Sequence, residues 1–231
     1  MQRLNFPEII LALDVETIER AKNFVDKLYP KIKTFKVGSQ LFTAYGPEII
    51  HLLHEKGAKV FLDLKYFDIP NTVAGAVAAA VRLKVKMLTL HISGGEEMIR
   101  AAVASAEAQA RSLNTPKPLL IGVTVLTSSA AKSKDVLALA KKGINSGLDG
   151  IVCSAVEAAV LRKKIKKEFF IITPGIRLTQ AIADDQKRTA TVKEAVKAGS
   201  DFLVIGRPIL KADNPLAKAE ELLGDIHGQR N

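Results

Sequence analysis

Eight times along this chain a short apolar run gives way to a longer segment of Ala, Leu, Lys and Glu. The runs are EIILALD ending at Asp14, TFKVGS around Lys36, KVFLDLK with Asp63 and Lys65, and MLTLHIS with His91. LLIGVTVLT then ends at Thr127, GIVCS at Ser154, FFIITPGIR at Arg177 and DFLVIGR at Arg207. Strand-like and helix-like segments in strict alternation imply repeated βα units around a parallel sheet. Helices are predicted over Glu16 to Leu28, Pro47 to Lys56, Val73 to Leu83, Glu96 to Ala110, Lys134 to Ser146, Ala155 to Lys164 and Thr191 to Ala198. Gly57, Gly147 and Gly199 stand where such helices would close before the next strand. No Pro-, Gly- or Ser-rich linker divides the 231 residues. The expected fold is α/β, a single (β/α)8 TIM barrel forming one domain over 1–231.

In such a barrel the C-terminal ends of all strands meet on one face, where chemistry is done. Here those positions carry Asp14, Lys36, Asp63, Lys65, His91, Thr127, Ser154, Arg177 and Arg207. The segment KVFLDLKYFDIPNT, Lys59 to Thr72, is the densest, with Asp63, Lys65 and Asp68 where an apolar strand breaks at Pro70 and Asn71. Strand alternation puts Asp63 and Lys65 on one side. Read alone, that pair suits a structural ion bridge as well as a site, since buried charges require partners. The polar character of the other strand ends favours a site. His91 and Ser154 are set aside as satisfied core groups.

The eighth run ends in VIGRPI. Glycine lets backbone N–H groups approach an anion and the guanidinium binds it bidentately, so Gly206 and Arg207 read as a phosphate site. Their place after strand eight strengthens this. The stretch GIRLTQAIADDQKRT after strand seven is long and polar, as lids are, with Gln186 available to bridge a phosphate to the rest of a ligand. Taken by itself, Gln186 reads as an ordinary exposed loop amide.

Composition limits the partners. At 48% hydrophobic the chain is not disordered, and no run of about 18 apolar residues offers a membrane span. The start, MQRLNFPEII, lacks a signal peptide's apolar stretch and cleavage site, so a cytoplasmic location is expected. Cys153 has no second cysteine to pair with and reads as a buried, inert thiol. The histidines His51, His54, His91 and His227 lack metal-site spacing, and no metal is expected. A net charge of +10 raises a nucleic-acid reading. Against it, there is no Trp and the lysines are spread over helical segments. The cluster RKKIKKE from Arg162 to Glu168 reads as a solvated helix end.

The combination LALD at Asp14, FKVG at Lys36, FLDLKYFDIPNTV, TPGIR and VIGRPI, in this order and spacing, closely resembles the orotidine 5′-phosphate decarboxylase family of the stand-alone bacterial type. The resemblance runs essentially end to end. A D-x-K-x-x-D motif alone is common to related sugar-phosphate decarboxylases, whereas the IPNT that follows and the later TPGIR point to the orotidylate branch. The resemblance implies decarboxylation of orotidine 5′-phosphate to uridine 5′-phosphate in pyrimidine synthesis, without metal or organic cofactor. It implies that Lys65 donates a proton to C6, that Asp63 lies beside the departing carboxylate, and that Lys36 and Asp14 serve the charged network and the ribose. Thr127 would contact the pyrimidine, with its neighbour Ser128 an alternative. Arg177, Gln186, Gly206 and Arg207 would form the phosphate end. Asp68, Ile69 and Thr72 would reach a neighbouring subunit's site, which implies a homodimer with shared sites, no nucleic-acid partner and no membrane. Competing readings are another phosphosugar decarboxylase or isomerase, and a non-catalytic nucleotide-binding protein. The latter would not need the Asp63, Lys65 and Asp68 array.

Overall fold

Strands with both faces buried read as near-continuous apolar runs, and six of the eight strands here are of this kind, while those holding Lys36 and Asp63 carry charged residues within the run. In the computed structural model, which describes residues 6–125, 133–177 and 189–228, eight parallel strands form a closed barrel in the order β1 to β8. The elements are β1 (Glu8–Ala12), α1 (Ile18–Leu28), β2 (Thr34–Gly38), α2 (Ser39–Tyr45), α3 (Glu48–Glu55), β3 (Lys59–Tyr66) and α4 (Pro70–Arg82). There follow β4 (Met87–His91), a 3-10 turn (Ile92–Gly94), α5 (Glu96–Ser112), β5 (Leu119–Val123), α6 (Ser133–Asn145), β6 (Gly150–Val152) and α7 (Ala155–Lys164). The chain finishes with β7 (Phe170–Thr173), α8 (Val192–Lys197), β8 (Phe202–Ile205), α9 (Arg207–Leu210) and α10 (Pro215–His227). The expected (β/α)8 TIM barrel is the fold observed.

Alternation along each strand sorts the side chains into two cores. Ile10, Ala12, Phe61, Met87, Ile121, Phe170, Ile172, Phe202 and Val204 fill the barrel interior. Their sequence neighbours, such as Leu11, Val60, Leu62, Leu88, Ile171 and Leu203, pack outward against the helices. Local signals set the helix ends. Thr17, Ser154 and Thr191 cap α1, α7 and α8 through their side chains, and Pro70 and Pro215 open α4 and α10. Gly57, Gly147 and Gly199 follow their helices at positive φ, the conformation expected of closing glycines.

Three strands are shorter than the sequence runs that announce them. β7 stops at Thr173 because Pro174 has no N–H to give a ladder and Gly175 turns at φ +79. β6 stops at Val152, and Ser154 instead closes a reciprocal capping box with Glu157. β5 stops at Val123; Thr124 turns its hydroxyl to the Val152 carbonyl at 3.2 Å. Among the described residues three helices have no counterpart in the sequence reading, the short α2 and α9 and the C-terminal α10.

At the N-terminal end of the barrel, charges from separate strands are paired. Lys86 Nζ lies 2.8 Å from Glu8 Oε2 and 3.2 Å from Thr34 Oγ1, and Lys117 Nζ lies 2.6 Å from Asp149 Oδ2. Arg162 pairs with Asp201 and also donates to the carbonyls of Phe169 and Gly199 at 2.8 and 2.9 Å. The basic run beginning at Arg162 is therefore solvated only from Lys163 onward. Asp201, 2% exposed, also accepts the Ile171 N–H at 2.7 Å. Removing one partner of a buried pair leaves the other charge uncompensated. Asp201→Ala is expected to lower the unfolding free energy by about 3–5 kcal/mol, measured by urea titration; a loss near zero would mean the bridge is not holding β7 to β8.

Candidate active site

The C-terminal strand ends surround a cavity of about 550 Å³. Its floor is the top of the interior core, with Ala12, Phe61, Ile172 and Val204. Such a floor excludes water and strengthens every charge interaction above it.

The charges arrive by strand parity and register. In β2, Phe35 and Val37 belong to the outer core, so Lys36 between them points inward. In β3, Asp63 is in phase with the inward Phe61, and Gly38 pairs with it across the ladder. A side chain at Gly38 would begin 3.3 Å from Lys36 Nζ, so the glycine leaves room for the ammonium. Lys36 Nζ then sits 3.1 Å from Asp14 Oδ1 and 3.5 Å from Asp63 Oδ2. Lys65 Nζ meets the other oxygen, Asp63 Oδ1, at 2.9 Å.

Asp63 and Lys36 are largely shielded, 13% and 12% exposed, and Lys65 is more open at 37%. Burial raises the Asp63 carboxyl, but the Lys36 and Lys65 ammoniums, with hydrogen bonds from Lys65 and Thr89, outweigh it and hold its pKa below the ordinary carboxylate value. Burial likewise lowers Lys36, yet the Asp63 and Asp14 carboxylates carry its pKa above the usual lysine value. Asp63 is thus ionised and Lys36 protonated at neutral pH.

Lys65 reaches Asp63 by a bulge and not by a regular strand. Its φ is +52, in the left-handed region, and the β3–β4 register shifts between Leu62 and Tyr66. A lysine in that conformation marks strain held by its surroundings.

Arg177, Gly206, Arg207 and Lys211 also line the cavity. Five cationic side chains and two carboxylates line the cavity among the described residues, an excess of three positive charges suited to an anionic ligand. Lys211 escaped the sequence reading; it lies one helical turn beyond Arg207, a spacing that would have found it. Thr89, fully buried and bonded to both Asp63 and the Lys65 backbone, was hidden inside an apolar run.

Asp68, Ile69 and Thr72 are not brought to this cavity. Asp68 is exposed and takes the Ile69 N–H at 2.6 Å, so the buried Asp63, Lys65 and Asp68 array expected from sequence reduces within this chain to Asp63 and Lys65. The break at Pro70 turns the chain outward: Phe67 and Ile69 are 61% and 66% exposed, and Thr72 is exposed at the start of α4. Thr127, Ser128 and Gln186 lie outside the described residues. His91, half-buried, packs edge-on against Phe67 at 5.7 Å, outside the cavity lining. Cys153 is buried, and burial pushes its thiol well above the ordinary value. Among the described residues no three His, Cys, Asp or Glu side chains gather to hold a metal, and no helix is long and apolar enough to cross a membrane.

Comparison with known proteins gives this geometry its context. Residues 7–222 match the model described as the orotidine 5′-phosphate decarboxylase / HUMPS family. The orotidine 5′-phosphate decarboxylase of Coxiella burnetii is 45% identical, over 95% of this chain and 97% of that protein. That of Photobacterium profundum is 48% identical, over 94% and 96%. The crystal structure of the Lactobacillus acidophilus orotidine 5′-phosphate decarboxylase superposes with a TM-score of 0.83 at 35% identity, covering 96% of this chain and 99% of that one. That of Pyrococcus horikoshii OT3 gives 0.77 at 25% identity, covering 95% and 99%. With the match spanning nearly the whole barrel, the chain belongs to the orotidine 5′-phosphate decarboxylase / HUMPS family.

Proposed function

We propose that this protein converts orotidine 5′-phosphate to uridine 5′-phosphate in pyrimidine nucleotide synthesis, with Lys65 as the proton donor to C6 of the pyrimidine. The observation that carries the reading is the Lys65 ammonium held 2.9 Å from the buried Asp63, in a cavity that Arg177 and Arg207 also line. Family membership and the relatives' decarboxylase names support it.

The chemistry follows from the charges. The bond from C6 to the carboxylate breaks, carbon dioxide departs, and the electron pair remains on C6, where the ring delocalises it poorly. An ammonium fixed beside that carbon stabilises the developing carbanion and then delivers its proton, leaving an amine that water reprotonates. Asp63 has two roles: it holds the Lys65 ammonium in place through their ion pair, and it repels the substrate's carboxylate but not neutral carbon dioxide. Lys36 keeps Asp63 ionised and, with Asp14, faces the ribose. Arg177, Gly206 and Arg207 take the phosphate, joined by Lys211. Binding energy gained there, far from C6, is available to close the site over the substrate. Thr127 is assigned to the pyrimidine edge and Gln186 to the phosphate. The proposed catalysis uses no metal or organic cofactor.

The protein is further proposed to act as a single-domain cytoplasmic homodimer, with Asp68, Ile69 and Thr72 completing the partner's site and Asp68 joining the catalytic array there. The exposed Phe67 and Ile69, on either side of Asp68 in the chain, support this, since exposed apolar side chains close together favour a protein partner.

Loss of orotidylate absorbance on adding purified protein tests the activity, and an inert preparation would refute it; turnover of a phosphosugar without a pyrimidine would favour the competing reading. Lys65→Ala is expected to lower kcat by about 10²–10⁴-fold or more while nucleotide binding persists. Near wild-type turnover would remove the assigned role. Arg207→Ala is expected to cost about 2–5 kcal/mol in kcat/KM for the phosphorylated substrate and little for the phosphate-free nucleoside; equal losses on both would overturn the phosphate assignment.

The charged array also sets a pH window. Asp63 has a lowered folded pKa, so its stabilisation is fully present above the ordinary value of 3.8 and is lost as pH falls through the folded value. Lys36 has a raised one, so its share is fully present below 10.5 and is lost as pH rises through its folded value. Urea titrations should therefore show wild type losing more stability than Asp63→Asn on acidification from neutral pH to below 3.8. Parallel losses in the two proteins would contradict the pairing.

A further inference from the structure

The bulge that places Lys65 has a specific partner. From Leu62↔Leu88 to Tyr66↔Leu90, β3 advances four residues while β4 advances two. The surplus residues leave the ladder, and a bulged residue's N–H loses its strand partner. Thr89 lies opposite this stretch. Its neighbours Leu88 and Leu90 pack in the outer core, so its side chain points into the barrel, where it is fully buried.

The Thr89 hydroxyl accepts the Lys65 N–H at 2.9 Å and lies 2.9 Å from Asp63 Oδ1. A hydroxyl has a single hydrogen, and an ionised carboxylate only accepts, so Thr89 donates to Asp63. Asp63 Oδ1 also accepts from Lys65 Nζ at 2.9 Å. These contacts close a loop from the Lys65 backbone N–H through Thr89 and Asp63 to the Lys65 ammonium. The Lys65 backbone is tied to the hydroxyl directly and its ammonium is tied to it through Asp63 Oδ1, while Asp63 Oδ2 is left to face Lys36 at 3.5 Å.

We propose that Thr89 is a positioning residue for the decarboxylation, its hydroxyl fixing the Asp63 carboxylate and the strained Lys65 backbone together so that the ammonium is held over C6. The proposal rests on the decarboxylase reading above. A structural role alone would require only that the buried N–H be satisfied. The positioning role also requires that loss of the hydroxyl act on Asp63 and on turnover.

The test uses the full-length protein with Thr89→Val and Thr89→Ser. Thr89→Val keeps the shape and removes the hydroxyl; kcat toward orotidylate is expected to fall about 10- to 100-fold, the range for a small misplacement of a reacting group, with KM little changed. The Asp63 carboxyl titration, followed by 13C NMR, is expected to move to higher pH, because a hydrogen bond to the ionised form has been removed. Thr89→Ser should restore both. Wild-type kcat in Thr89→Val, an unmoved Asp63 titration, or Thr89→Ser as impaired as Thr89→Val would overturn the proposal. If Thr89→Val does not fold, Thr89→Cys takes its place, with a weak donor in the same position; a reduced kcat would support the role and an unchanged one would overturn it. The NMR readout needs no substrate. An inert wild-type protein would defeat the decarboxylase reading, whereas an active wild type with an indifferent Thr89→Val would defeat only the positioning.

Discussion

A single buried carboxylate organises the charged face of this barrel. Asp63 stands between the Lys36 and Lys65 ammoniums and receives the Thr89 hydroxyl, so each of its oxygens is committed. Taking any one of these charges out of water alone would be prohibitive. Together they form an array in which each ionised form depends on its neighbours. The coupling explains why Lys36, the more enclosed lysine, stays protonated, and why Asp63 stays ionised despite burial.

The two ends of the barrel treat charge in opposite ways. At the N-terminal end, Glu8, Asp149 and Asp201 each meet a cation, and two of them also take backbone N–H groups. Those bridges tie separate elements together where the strands begin and serve stability. At the C-terminal end, cations outnumber carboxylates around a cavity with an apolar floor. Such an imbalance is electrostatically unfavourable in the empty protein and is relieved by an anion. The same fold thus separates what holds it together from what does the work, as barrels of this architecture commonly do.

Much of this was legible in the residues. The eight apolar runs survive as strands because their inward and outward faces are both covered. Asp14, Lys36, Asp63, Lys65, Arg177 and Arg207 are found around one cavity because strand-end position is a topological property. Other features depend on distance across the fold. Thr89 looks like one more strand residue until the bulge opposite it is seen. Nothing in the sequence marks Asp149 and Asp201 as bridge-forming acids, yet tertiary contacts make Asp201 a buried anchor and Asp149 a part-buried one. Asp68 shares a motif with Asp63 but is carried outward by the turn before Pro70. The true ends of β5 and β7 depended on where ladder bonding fails, which apolar content does not record.

Closure of the barrel gives the cavity wall an unusual origin. β1 pairs with β8 through Ile9↔Leu203 and Leu11↔Ile205, so Asp14 and Gly206 become neighbours although most of the chain separates them. A side chain at Gly206 would begin 3.5 Å from both Ala12 Cβ and Asp14 Oδ2. The polypeptide therefore has no finished pocket until its final strand docks against its first. Competence arrives in one step, at the moment the ring is sealed.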